Sequence, residues 1–448
     1  MRALLYTCIA TVLSFSVAVL LPAEQEVRKG VAILTFAGVL WITEGLPLPV
    51  TSVFIPVLAC TLGVLNTKSA FASFAHPIIF LFFGGFALAT ALTKYNLDRL
   101  LAFKIVYASG GSLLLTCLML FSATAFVSMW ISNTSTTAMM LPLAIGIANA
   151  VKADSRLRTF LLLGIAYSAS VGGIGTVVGS PPNGITAGNL GIGFTDWLKF
   201  GIPAVLILLP LLFVLLYLYF KPSLEGVVLF EKTTTRFGRK EIGVLAVFAV
   251  TVLLWFFSKK VSAFLGVGKY FDALVAVFAV FLLFLFKLVS WDEINRGTDW
   301  GTLYLFGGGL TLSQVLKTTG ASKFIASAFA ENVSGLSAFL IVLSVTTFMI
   351  FMTELMSNTA TAAIFVPILM SMATQMGYPP YEFAVPAGIA ASCAFMLPVA
   401  TPPNAIVYGT GQVKQKDMMR VGIILNLCFS VVITVIALLV SRAGYLPL

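Results

Sequence analysis

Long apolar runs alternate along the chain with short segments that hold nearly all of its charge. Runs near 3–22, 30–44, 46–65, 77–93, 157–178, 196–219, 241–258, 270–289, 300–316, 382–399 and 419–441 approach the ~20 residues that a helix needs to cross a hydrocarbon core. Two longer runs, 105–151 and 334–375, are interrupted by polar clusters. If each is a single crossing the total is thirteen; if each enters and leaves on one side it is eleven. The ten-residue alternation of a transmembrane β-barrel is missing. The pattern predicts an all-α polytopic membrane protein.

Composition sharpens this reading. The 448 residues are 59% hydrophobic and 10% charged, against about 25% charged in globular domains. Arg2 before the first run suggests a secretory leader, but the run is long and Leu21-Pro22-Ala23-Glu24 is a poor cleavage site, so 3–22 is read as the first membrane helix. The net charge of +10 would suggest nucleic acid in a soluble protein; here it is the topology signal of cytoplasmic loops. The eleven-crossing reading places the N-terminus and Lys94, Arg99, Lys104, Lys152, Arg156, Arg158, Lys232, Arg236, Arg239 and Lys240 inside. The C-terminus falls outside, and Lys259, Lys260 and Lys269 are the exception, since they fall outside too.

The chain also resembles itself. Residues 132–142, beginning Ser132-Asn133-Thr134, match residues 357–367, beginning Ser357-Asn358-Thr359, at six of eleven positions and an offset of 225. Ser180-Pro181-Pro182-Asn183 matches Thr401-Pro402-Pro403-Asn404 at an offset of 221, and Phe83-Gly84-Gly85 matches Phe306-Gly307-Gly308 at 223. Three motifs in one order at near-constant offset predict two homologous halves. Five crossings between the polar clusters, an odd number, make the halves inverted, an arrangement common in secondary transporters.

The polar interruptions suggest chemistry. Polar, Pro-broken backbone is tolerated at membrane depth only where it is buried in protein or lines a cavity. Ser-Asn-Thr can cap a new helix, whose N-terminus offers free N–H groups and a positive dipole end. Pro-Pro enforces a break. Ser128 and Thr353, four residues before Ser132 and Ser357, add a hydroxyl one turn away. Hydroxyl, freed carbonyl and Asn oxygen make a hard cage suited to a small cation, present twice. No Lys or Arg occurs in 105–151, 159–198 or 324–413, so an anion held there depends on helix N-termini and co-bound cations. The first polar run also lacks Asp and Glu, which favours sodium over a carboxylate proton relay. Glu354 is read as either tuning a cation site or packing a helix. The five cysteines stand singly, and His76 is the one histidine, which leaves no metal-ligand spacing. With no Gly-x-x-x-x-Gly-Lys-Ser/Thr an ATP-driven pump is excluded, and with no nucleophile elbow placed beside a base an intramembrane hydrolase is the least favoured reading.

Twin Ser-Asn-Thr clusters, each followed by Ser/Thr-Pro-Pro-Asn, resemble the divalent anion/sodium symporter family, which includes INDY-type dicarboxylate transporters. The stretch from Ser392 to Ile406, Thr43-Glu44-Gly45-Leu46-Pro47 and His76-Pro77-Ile78 carry the resemblance across the chain. It implies a homodimer in a bacterial inner membrane, with eleven crossings and two re-entrant hairpins per protomer, moving like an elevator. Residues 1–107 and 241–331 would be scaffold, 108–219 and 332–448 transport domain, and 220–240 a cytoplasmic linker. It further implies that Asn133, Thr134, Ser180, Pro181, Asn358, Thr359, Thr401 and Pro402 hold substrate carboxylates. One sodium would be held by Ser128, Ser132, Asn133 and Gly179, another by Thr353, Met356, Asn358 and Ala400, with no organic cofactor and no nucleic-acid partner. The expected activity is sodium-coupled symport of C4-dicarboxylates such as succinate, malate or fumarate. Tricarboxylate or sulfate symport and dicarboxylate exchange remain open, with an anion channel the remote alternative.

Overall fold

The computed structural model describes residues 2–228, 238–333 and 335–442, and these fold almost entirely into α-helices. Lys232 and Arg236 of the basic linker lie outside the described residues. Arg2–Leu20, Thr67–Lys94, Phe194–Phe220, Ala338–Leu355 and Gln415–Ser441 are each long and apolar enough to cross a membrane unaided. Arg239–Phe256 continues into Ser258–Leu265 through a bend of 80°, which the expected straight span 241–258 did not foresee. Leu48–Thr61, Leu113–Ser128 and Phe271–Leu285 are apolar but shorter.

Both interrupted runs fold as pairs of helices that meet at the polar cluster. Leu113–Ser128 turns into Asn133–Ala150, and Ala338–Leu355 turns into Asn358–Gln375. The runs expected at 157–178 and 382–399 stop early, at Gly173 and Ala390. New helices then begin at Pro181 and Pro402, where a missing N–H leaves no intrahelical bond unmade. Each short helix is followed by a long one, Phe194–Phe220 or Gln415–Arg442. The basic stretch after Lys94 becomes the short helix Leu97–Tyr107, and Ala321–Val333 stands at the corresponding place before the second hairpin.

Burial follows position in the bundle. Every residue from Thr159 to Gly173 is buried, whereas Arg2–Leu20 buries only Ala10. Outer faces stay apolar, with Leu206 68% and Phe264 89% exposed, as expected where lipid is the solvent. Glycine sets the closest helix approaches, as small residues do in membrane bundles. A Cβ on Gly308 would lie 2.6 Å from Ser52 Cα, and one on Gly84 would lie 2.6 Å from the Ala276 carbonyl oxygen. Gly146, by contrast, has open space around it.

Gly308→Ala must push two backbones apart, and overpacking of this kind costs about 1–3 kcal/mol. Thermal unfolding in detergent is expected to show a clear fall in melting temperature for Gly308→Ala and none for Gly146→Ala. Equal behaviour of the two variants would contradict the packing.

Candidate functional site

The two hairpin tips share one bond. Ser128 Oγ donates to Asn133 Oδ1 at 2.7 Å, and Thr353 Oγ1 lies 2.7 Å from Asn358 Oδ1, with the Ala391 carbonyl as its alternative acceptor at 2.8 Å. The hydroxyl expected one turn from each tip therefore reaches the Asn that opens the next helix. Capping is not shared. Ser132 Oγ accepts from Ser135 N at 3.3 Å, whereas Ser357 makes no side-chain cap bond.

The breaks lie beside the tips. Thr176 Oγ1 donates to the Met129 carbonyl at 2.6 Å and accepts from Gly179 N at 3.1 Å, joining the first break to the first tip. In the second half Glu354 takes the structural part. Its carboxylate accepts from the backbone N–H groups of Phe395 (2.6 Å), Met396 (2.8 Å) and Leu397 (3.1 Å), and from Asn426 Nδ2 (2.8 Å). Amides freed by the helix break are thus satisfied by one buried carboxylate, as buried backbone polar groups require. The corresponding residue of the first half, at the 225 offset, is Met129. The halves are also tied together: Ser180 and Ser392 hydroxyls are 3.1 Å apart, and Tyr167 donates to the Phe395 carbonyl at 2.6 Å.

Both tips and both breaks border one cavity of about 1350 Å³. Ser132, Asn133, Thr134, Gly179, Ser180 and Pro181 line it from the first half, and Met356, Asn358, Thr359, Ala400, Thr401 and Pro402 from the second. Ser128 and Thr353 stand behind this wall, fully buried. The same cavity is also lined by Thr43, Glu44, Gly85, Thr90, Lys94, Glu293, Arg296 and Asp299. Sequence reasoning had counted cations only within the polar segments and so missed Lys94 and Arg296. Their signal was positional: Lys94 ends the helix of the first Phe-Gly-Gly motif, and Arg296 precedes the helix of the second. Lys94 pairs with Glu293 at 2.7 Å; the Lys94 ammonium, helped by Ser290 N, holds the Glu293 carboxyl below its usual range. Asp299 caps its own helix at Thr302 N, 3.0 Å away.

Gly173 packs tightly against the first tip and break: a Cβ there would lie 2.5 Å from Asn133 Oδ1, 3.0 Å from the Gly179 carbonyl oxygen and 3.1 Å from Asn133 Nδ2, so only glycine lets these oxygens approach so closely. No cluster of three His, Cys, Asp or Glu exists among the described residues. The donors are neutral oxygens, which suit a hard monovalent ion better than a transition metal.

Gly173→Ala is expected to lower the melting temperature in detergent, because the added methyl overlaps the Asn133 side chain and overpacking destabilises; an unchanged melting temperature would contradict this contact. Glu354→Gln sets an amide N–H against backbone donors, and an unmade buried bond costs about 1–3 kcal/mol. A lower melting temperature for Glu354→Gln is the expected result.

Known proteins resemble this chain along most of its length. The family model for the sodium:sulfate symporter transmembrane region matches residues 2–442. An uncharacterised transporter of Haemophilus influenzae is 49% identical over 433 residues, covering 94% of each chain. The sodium-dependent dicarboxylate transporter SdcS of Staphylococcus saprophyticus is 36% identical over 448 residues, covering 91% of this chain and 85% of that protein. In fold, the chain is similar to the YdaH transporter of Alcanivorax borkumensis, with a TM-score of 0.56 at 13% identity, over 82% of this chain and 86% of that one. The protein is therefore an integral membrane transporter, not an enzyme, and it belongs to the sodium:sulfate symporter family, the divalent anion/sodium symporters.

Proposed function

We propose that the protein is a sodium-coupled symporter of C4-dicarboxylates that moves its substrate site by an elevator motion. The observation that carries this reading is the single cavity on which both Ser-Asn-Thr tips and both Ser/Thr-Pro breaks converge, with no Lys or Arg in 105–151, 159–198 or 324–413. A dianion placed at the tips meets helix N-termini, each worth about half a positive charge, while Lys94 and Arg296 line the same cavity from other segments and Lys94 is already paired with Glu293. Sodium ions bound beside it supply the missing charge. Asn133, Thr134, Ser180 and Pro181, with Asn358, Thr359, Thr401 and Pro402, hold the two carboxylates. Ser128, Ser132, Asn133 and Gly179 hold one sodium; Thr353, Met356, Asn358 and Ala400 hold the second. The name of the SdcS relative supports sodium and dicarboxylate as the transported pair.

In this reading eleven crossings and two re-entrant hairpins form two inverted repeats in the bacterial inner membrane, with the N-terminus cytoplasmic and the C-terminus outside. Segments 108–219 and 332–448 travel against a dimerising scaffold of 1–107 and 241–331, joined by the linker 220–240. The cavity wall bearing Thr43, Lys94 and Arg296 consists of inner helix ends, so the site faces inward. The outer end is closed by contacts between the two bodies. Phe194 N donates to Asp272 Oδ2 at 2.7 Å, Thr195 Oγ1 donates to the Trp255 carbonyl at 2.8 Å, and Lys259 pairs with Asp196 at 2.7 Å. Lys259, an exception to the inside bias of the basic residues, thus has a local task. Asp272 is the second residue of the helix Phe271–Leu285, whose 15 residues span about 22 Å, and Arg296 belongs to the short helix Trp291–Gly297 beyond its other end.

The test is uptake of radiolabelled succinate into proteoliposomes, with an inward sodium gradient or with choline in its place. Sodium-dependent accumulation is expected, and Asn133→Ala or Asn358→Ala reduces it to background with the protein still folded. Uptake that needs internal dicarboxylate but no sodium would mean exchange, while competition by sulfate or citrate alone would reassign the substrate. Thr195 and Ser258, whose hydroxyls are 3.2 Å apart, offer a check on the motion. A disulfide between Thr195→Cys and Ser258→Cys is expected to stop uptake until it is reduced; full uptake with the bond formed would rule out separation at this end.

A further inference from the structure

The Asn that ends each Pro-Pro-Asn motif is not part of either ligand set, and its surroundings are the same in the two halves. Asn183 Nδ2 donates to the carbonyls of Gly173 at 2.8 Å and Thr176 at 2.7 Å. Asn404 Nδ2 lies 3.0 Å from the carbonyls of Ala394 and of Leu397. The acceptors stand ten and seven residues before the Asn in both cases. Each Asn is fully buried, and each Oδ1 is buried without a donor. Reversing either amide would face its oxygen to two carbonyls, so the bonding pattern fixes the orientation.

Each carboxamide therefore staples the start of its helix to the end of the preceding one, across the unwound segment. Four residues before each Asn stand Gly179 and Ala400, whose carbonyls the functional reading above gives to sodium. Other supports of the two segments differ: Thr176 holds Gly179 N in the first half, while Glu354 gathers three amides in the second. The Asn staple is the element they share. Aspartate has the same shape but offers acceptors where two donors are needed.

We infer that Asn183 and Asn404 are matched positioning residues, each presetting one carbonyl of a sodium site without touching the ion. This rests on the sodium assignment made above. Loss of groups that orient ligands typically costs 10–100-fold in ion affinity, so the effect should appear in sodium dependence before it appears in substrate affinity.

The experiment measures half-saturating sodium for succinate uptake in wild type, Asn183→Ala and Asn404→Ala, and the sodium concentration that stabilises each purified protein against heat without substrate. The expected result is a rise of about tenfold or more in both sodium values, with the succinate KM at saturating sodium unchanged. Asn183→Asp and Asn404→Asp should not rescue. If an alanine variant fails to reach the membrane, Asn183→Ser and Asn404→Ser, which cannot span two carbonyls, carry the same test. A lower maximal rate at unchanged half-saturating sodium overturns the inference, as does a shift in succinate KM alone. Wild type separates the two levels. If wild type shows no sodium dependence, the transport reading falls; if wild type is sodium-dependent and the variants keep its half-saturating sodium, the positioning role alone falls.

Discussion

Broken helices inside a membrane are the constraint on which the rest of this structure depends. Each break frees backbone N–H and C=O groups that water cannot reach, and each must find a partner or line a cavity. The chain meets that demand with a small set of buried polar side chains. Glu354 collects the amides of Phe395, Met396 and Leu397, Thr176 bridges Met129 and Gly179, and Asn183 and Asn404 take the carbonyls. Oxygens and helix ends left over point into the cavity, so the groups that make the fold tolerable and those that make the site are neighbours in sequence.

That closeness explains how much was legible before the fold was known. Ser-Asn-Thr and Pro-Pro-Asn are local signals: a polar cluster in an apolar run leaves few options, and a second copy removes most of them. The hairpin tips, the restarts at Pro181 and Pro402, and the meeting of Ser128 with Asn133 and of Thr353 with Asn358 all follow from short-range pattern. What escaped depends on distant pairing. Lys94 meets Glu293 across 199 positions, and no periodicity in either segment announces the partner. Glu354 could be placed near the tip but not assigned its four donors, which come from the break and from Asn426. The 80° bend after Phe256 was hidden because its second arm, Ser258–Leu265, is too short to stand out beside an apolar helix.

Sequence symmetry also overstates chemical symmetry. Ser132 caps its helix while Ser357 does not. Gly173 packs so close to Asn133 that a Cβ would overlap it, whereas Ala394 occupies the matching position at the 221 offset. Met129 stands where the second half has the buried carboxylate of Glu354. A negative group close to one tip and a thioether close to the other give the two tips different electrostatic surroundings. Duplicated motifs preserve geometry more faithfully than they preserve potential.

If, as proposed, the cavity opens inward and the contacts of Phe194, Thr195 and Asp196 close the outer end, the two faces of the protein offer different opportunities for inhibition. A soluble blocker that fits the cavity must arrive from the open side, past Arg296 and the Lys94–Glu293 pair. An antibody or peptide raised against the closed side meets the exposed Lys259 and Phe264 instead, and it would act by holding that seam shut rather than by competing for the site. Pharmacology of this chain is thus set by which face a compound can reach as much as by what the site recognises.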